Sequence, residues 1–181
     1  MGGVTHSLTQ NNKAFQDLTK KIIPELNGGF VKSGFPQGAP VGEAKKMGSG
    51  HWPYGDMSEV ARIAVWNEYG TPTSKHPIPP RPFFRNAINE NRKQIADKVK
   101  YFSNLAVIGK ITAAQAFENL GLYMQSIIRG SIKNTTSPKN ADSTIAKKGS
   151  SHPLIDSGQM INSVTFVKVT GKESSGKGVE V

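Results

Sequence analysis

The stretch that most restricts the fold is Lys75–Arg85, KHPIPPRPFFR, where four prolines fall within six residues at Pro77, Pro79, Pro80 and Pro82. Each proline fixes φ at about −65° and pushes the residue before it into extended geometry. The stretch is therefore stiff and close to polyproline II. It contains P-x-x-P twice, at Pro77–Pro80 and Pro79–Pro82, which is the pattern of a ligand for a proline-reading domain. Such ligands sit in polar, unstructured surroundings, whereas here Phe83 and Phe84 at once open an apolar helix face. The reading favoured is a strut that sets the direction between two helices, Asp56–Tyr69 before it and Phe84–Ile108 after it.

The flanking segments have helical periodicity. Asp56–Tyr69 opens on an Asp-x-x-Glu capping-box pattern, carries Val60, Ile63, Ala64 and the Val65/Trp66 pair on one face, and is closed by Gly70. Phe84–Ile108 carries the stripe Phe84, Ile88, Ile95, Val99, Phe102 and Leu105 and breaks at Gly109-Lys110. Thr112 is placed to cap a second long helix with the stripe Ala113, Phe117, Leu120, Met124, Ile127 and Ile128. The two are compatible with an antiparallel hairpin or one bent rod. Upstream, Asn11–Ile23 reads as a short amphipathic helix stopped by Pro24, and Phe30–Phe35 as a strand. Gln37–Tyr54 is a glycine-rich loop, either mobile or pinned by a partner. Asn134–Ser151 reads as polar loop with a single turn at Ser143–Lys147. Asp156 or Ser157 is expected to cap a short helix through Asn162. Val164–Val169 reads as a strand, with Val-Glu-Val at 179–181 as its hairpin partner.

The order predicts an α+β fold: a small antiparallel or mixed β-sheet packed by helices, two of them long, with extended loops. The 181 residues suit a single domain over 1–181, with an N-terminal helical arm at about 1–27 and long loops at about 37–54 and 134–152. Hydrophobic residues are 36% of the chain, alongside 19 glycines and 11 prolines, so the core is modest and burial by neighbouring subunits is expected. There is no cysteine, which excludes disulfides and thiolate metal sites. The start MGGVTHSLTQ lacks the basic and apolar regions of a secretory signal, and no apolar run approaches the ~20 residues of a membrane span. Lysines and arginines number 23 against 13 acids, a net +10 that attracts nucleic acid or an acidic protein face. Lys45-Lys46, Arg92-Lys93 and Lys147-Lys148 are its mild clusters.

Catalytic and cofactor motifs are not found. Ser151, His152, Asp156 and Ser157 contain the types of a hydrolytic set, but Asp156-Ser157-Gly158 is explained as a turn and helix cap, and no G-x-S-x-G elbow accompanies it. His6, His51, His76 and His152 are scattered without metal-ligand spacing. No phosphate-cradling glycine loop occurs. Lys147-Lys148 is read as a solvated loop before a phosphate contact, and Trp66 and Tyr69 as core or interface anchors.

Three segments together resemble a known family. Val60–Pro72, VARIAVWNEYGTP, followed by Ile78–Ile88, IPPRPFFRNAI, resembles the paired motif of tail-completion or neck proteins of tailed bacteriophages. There a helix ends in Asn-Glu-Phe/Tyr-Gly-Thr and a loop leads through Ile-Pro-Pro-Arg-Pro-Phe into a long helix. Thr144–Lys148 and Pro153–Val164, PLIDSGQMINSV, resemble the family's third segment, with Ser157 where threonine is commoner and Met160 where leucine is. The resemblance spans roughly Phe30–Val169. It implies a structural virion protein without catalytic residues or cofactors. Such a protein forms a homo-oligomeric ring at the tail end or head–tail neck, sixfold on the tail side or twelvefold at the portal side. The implied partners are other neck, connector and tail-tube proteins, with genomic DNA passing through the ring; the implied location is the virion neck or tail, the protein being made in the bacterial host cytoplasm. The alternative is a basic DNA-binding accessory protein. The motif residues expected to matter for architecture or interfaces are Asn67, Glu68, Tyr69, Gly70, Pro79, Pro80, Arg81, Pro82, Phe83, Arg85, Asp156, Ser157 and Gly158. Arg81 and Arg85 are expected to pair with acids nearby or on an adjacent subunit rather than to bind substrate.

Overall fold

In the computed structural model the described residues are 13, 16–35 and 59–171. The beginning of the N-terminal helix, the loop 37–54, the Asp56 end of the capping box and the closing strand 179–181 lie outside them. Within them the fold is α+β: seven α-helices and a small antiparallel sheet. A π-helical turn, Leu18–Ile22, leads into α1 (Ile23–Leu26), and β1 is Phe30–Gly34. The helices α2 (Glu59–Tyr69), α3 (Phe83–Glu90), α4 (Arg92–Val107) and α5 (Ala113–Asn134) follow. The short helices α6 (Asp142–Lys148) and α7 (Gln159–Asn162) precede β2 (Thr165–Val169), which pairs with β1.

Several boundaries depart from the sequence reading. Pro24 does not stop the first helix. Ile23 N–H donates to the Leu18 carbonyl across a widened π turn, and Pro24 then lies in the first turn of α1, where a missing N–H costs nothing. The segment expected as one helix over Phe84–Ile108 is two. Asn91 leaves helical geometry at φ −105° and ψ 12°, and its Nδ2 donates to the Ala87 carbonyl at 2.9 Å. That side-chain bond competes with the backbone ladder and ends α3. The stripe on α4 is also thinly covered, with Val99 exposed and Ala106 the buried residue. By contrast, Thr112 and Gln115 form a reciprocal box at the start of α5. The Gln115 N–H donates to Thr112 Oγ1 at 3.1 Å, and the Thr112 N–H donates to Gln115 Oε1 at 2.8 Å.

The described residues divide into two compact units, one gathering 94–122 with those up to Lys32 and those from Val167, the other gathering 33–35, 59–93 and 123–166. In the first, Phe117 lies over Gly29 so closely that a Cβ there would stand 2.4 Å from the ring. Lys168 and Glu118 form an ion pair in the same unit.

The second unit holds the hydrophobic core. Val60 and Ala64 of α2, Phe83 and Ala87 of α3, Ile128 and Ile132 of α5, and Leu154, Met160 and Val164 are buried together. Phe83 is the largest fully buried side chain and meets Phe35 edge to face at 6.4 Å between centroids. Each such large side chain contributes on the order of 1.5–3 kcal/mol of burial. Polar side chains of α5 fix the last segment. Gln125 Nε2 donates to the Val164 carbonyl at 2.6 Å, and Arg129 donates to the carbonyls of Ile161, Asn162 and Val164. A cation thus closes the carbonyl end of α7.

Candidate functional site: the proline joint and its cavity

The end of α2 and the proline stretch are bonded along their backbones. The Thr71 N–H donates to the Ile78 carbonyl at 2.9 Å, and the Ile78 N–H donates back to Thr71 Oγ1 at 2.8 Å. The Arg81 N–H reaches the Asn67 carbonyl at 2.6 Å. Gly70 makes this approach possible. Its φ is 77°, and a Cβ there would stand 2.7 Å from the Ile78 oxygen. Only glycine meets both demands. Pro77, Pro79 and Pro80 lie exposed along the outside of the joint.

Glu68 explains how α3 begins. The residue before the helix is Pro82, which has no side-chain acceptor for the first N–H groups. Glu68 is 5% exposed and supplies the acceptor from α2. Its Oε2 takes the Phe84 N–H at 2.8 Å and its Oε1 the Arg85 N–H at 3.1 Å. A carboxylate at a helix N-terminus is favoured by both hydrogen bonding and the dipole. Arg85 Nε donates to the same Oε1 at 2.9 Å and its Nη2 to the Glu68 carbonyl at 3.0 Å. The Arg85 guanidinium also lies over the Tyr69 ring, 4.7 Å from its centroid. Tyr69 is 61% exposed, so it is no core anchor.

Arg85 thus pairs with an acid of its own chain, as expected, whereas Arg81 meets no acid among the described residues. Arg81 is 3% exposed and its acceptors are all neutral. Nε donates to the Pro138 carbonyl at 2.7 Å, Nη1 to Asn67 Oδ1 at 3.1 Å, and Nη2 to the Lys139 carbonyl and Asn140 Oδ1, both at 3.2 Å. This radial array of oxygens satisfies more of the guanidinium fork than one carboxylate would. Burial lowers its pKa from the usual arginine value.

The third segment completes the site. The stretch expected as loop with one turn folds into α6 from Asp142 to Lys148, ended by Gly149 at φ 66°. Lys148 Nζ donates to the His152 carbonyl at 3.0 Å and, more weakly, to the Pro153 carbonyl at 3.5 Å. Burial pulls the Lys148 pKa down, nearby Asp156 favours its charge, and Arg81 opposes it. The cap of α7 is neither Asp156 nor Ser157 but Gly158, at φ 79°, although Ser157 Oγ accepts the Gln159 N–H at 3.4 Å. The His152 ring engages the Lys133 carbonyl through Nε2 at 2.8 Å.

These segments surround one cavity of about 350 Å³. Val60, Ile63, Ile78, Leu154 and Met160 form an aliphatic wall. Asn67, Arg81, Asn140, Lys148 and Asp156 form a polar one. Of the motif residues named from sequence, Asn67, Pro79, Arg81, Asp156 and Ser157 line it. Glu68, Tyr69, Gly70, Pro80, Pro82, Phe83, Arg85 and Gly158 do not; most of them hold the joint or the core behind it. Sequence reasoning did not name Lys148 or Asn140 as part of this site. The Thr-x-x-x-Lys pattern was the available signal for Lys148, and none pointed to Asn140. Among the described residues no group of three His, Asp or Glu side chains is placed to hold a metal ion, and no helix is long and apolar enough to cross a membrane.

The chain matches no protein-family model, no curated protein and no solved structure.

Proposed function

We propose that the chain is a structural virion protein of a tailed phage, forming a ring at the tail end or head–tail neck that joins the tail to the head connector. The reading rests first on the resemblance of three separated segments to tail-completion and neck proteins. The observation that supports it is their meeting in space. Arg81 of the proline stretch bonds Asn67 at the end of α2, and both line one cavity with Thr144, Lys148, Pro153 and Leu154 of the third segment. Three motifs that are each weak in sequence therefore line one cavity. The exposed apolar side chains Val99, Tyr101, Val107, Ile108 and Leu122 suit a subunit whose burial is completed by neighbours.

The test is imaging of phage particles made with and without the chain. The expected result is a ring of defined rotational symmetry at the neck or tail end, and unjoined heads and tails when the chain is missing. Joined, infectious particles without it would refute the reading. A specific observation keeps one alternative, a DNA-binding accessory protein: Arg92, Lys93, Lys98 and Lys100 of α4 are all exposed. That alternative requires DNA affinity falling steeply with salt, and no shift at moderate salt removes it.

A further inference from the structure

The cavity beside the proline joint has a chemistry that the assembly role alone does not explain. Its volume, about 350 Å³, lies within the range of ligand sites. One wall is aliphatic. The other carries two cations, Arg81 and Lys148, against one carboxylate, Asp156. The acceptors of both cations among the described residues are neutral oxygens. A guanidinium has five N–H donors and an ammonium three. Four guanidinium bonds and two ammonium bonds are accounted for, so among the described residues one N–H of each cation has no acceptor. Asp156 and Thr144 are exposed, while Arg81 is buried, so the cavity opens on the Asp156 side and deepens toward the guanidinium.

The wall composition selects among anions. Among the described residues no aromatic ring lines the cavity, so they give a nucleobase nothing to stack on. A phosphodiester backbone brings no apolar group to the aliphatic wall. An acidic peptide segment brings both, an apolar side chain and an adjacent carboxylate. The proline-stiffened rim, Pro77, Pro79 and Pro153, fixes the site before binding and so lowers the ordering cost. The net +10 of the chain favours an acidic partner over the longer range.

We propose that this cavity is the docking site for an acidic segment of a neighbouring virion protein, seating an apolar side chain against Ile63, Ile78 and Met160 and its adjoining carboxylate against Arg81 and Lys148. The identity of the partner as a virion protein rests on the assembly reading; the chemistry of the site does not.

The experiment is an NMR titration of the purified chain, following the Met160 methyl and Arg81 Nε–H signals. The probes are acetyl-Gly-Leu-Asp-Gly-amide, its Leu-Asn counterpart, inorganic phosphate and a thymidine oligonucleotide. The Asp peptide is expected to shift both signals and to bind about tenfold tighter than the Asn peptide, as a charge-assisted contact predicts. Lys148→Gln is expected to abolish that preference, and Lys110→Gln to leave it intact. Thr144→Trp, a change at an exposed position on the rim, is expected to block both peptides without unfolding the chain. Equal binding of the two peptides, shifts confined to other residues, or phosphate or oligonucleotide binding as tight as the Asp peptide would each overturn the proposal. Absent peptide binding alongside a ring seen in particles defeats the docking site alone. Peptide binding alongside particles that are complete without the chain defeats the assembly reading alone.

Discussion

Replacing Glu68 by alanine removes one buried carboxylate that serves two elements at once. In the native chain it accepts the Phe84 and Arg85 N–H groups at 2.8 and 3.1 Å and the Arg85 Nε at 2.9 Å. Loss of a capping acceptor costs about 1 kcal/mol, and stranding donors in a buried position adds about 1–2 kcal/mol. The ion pair adds little, because the Arg85 side chain is 50% exposed and water replaces its partner. The expected loss is therefore about 2–3 kcal/mol. For a chain of this size that lowers the melting temperature by roughly 4–12 °C. Urea unfolding of wild type, Glu68→Ala and Glu68→Gln is the assay. Glutamine keeps one oxygen acceptor, so its loss should be about 1 kcal/mol and lie between the other two. A Glu68→Ala loss under about 0.5 kcal/mol, with the denaturant slope unchanged, would refute the view that α3 is capped from α2.

Gly70→Ala should cost about 2–4 kcal/mol in the same assay, because φ is 77° and the new methyl meets the Ile78 oxygen at 2.7 Å. Arg81→Met leaves two carbonyls and two asparagine amides without their donor and should cost about 3 kcal/mol by thermal melting; Arg81→Lys should recover less than half of that, since an ammonium lacks the fork. Thr112→Ala should cost about 1 kcal/mol and increase amide hydrogen exchange over the first turn of α5. Pro80→Gly combined with Pro82→Gly should impair particle assembly more than the melting temperature of the isolated chain, and normal assembly of the double variant would end the strut interpretation.

The parts legible in the sequence are those written in local spacing. Gly70 ends α2 where a left-handed residue was needed, Thr112 opens α5, and Phe83 enters the core at the head of an apolar face. Glu68 was legible in principle. A helix that starts after Pro82 has no capping side chain of its own, so an acceptor had to come from elsewhere. The break at Asn91 and the passage through Pro24 turn on single hydrogen bonds that periodicity does not encode. The acceptors of Arg81 at Pro138–Asn140 are separated from it by 57 to 59 positions. No window of sequence contains both, so an array of neutral oxygens around Arg81 is not written in local spacing.

That separation also bears on how the chain is made. Synthesis runs from the N-terminus at about 5–20 residues per second, so the joint emerges several seconds before the oxygens that receive its guanidinium. Of its four acceptors in the folded chain, Asn67 alone has been made by then. A product truncated ahead of Pro138 can form α2 and α3, yet it cannot desolvate Arg81 or close the cavity against Leu154 and Met160. The guanidinium therefore gains its full set of acceptors only in chains that extend through Asn140.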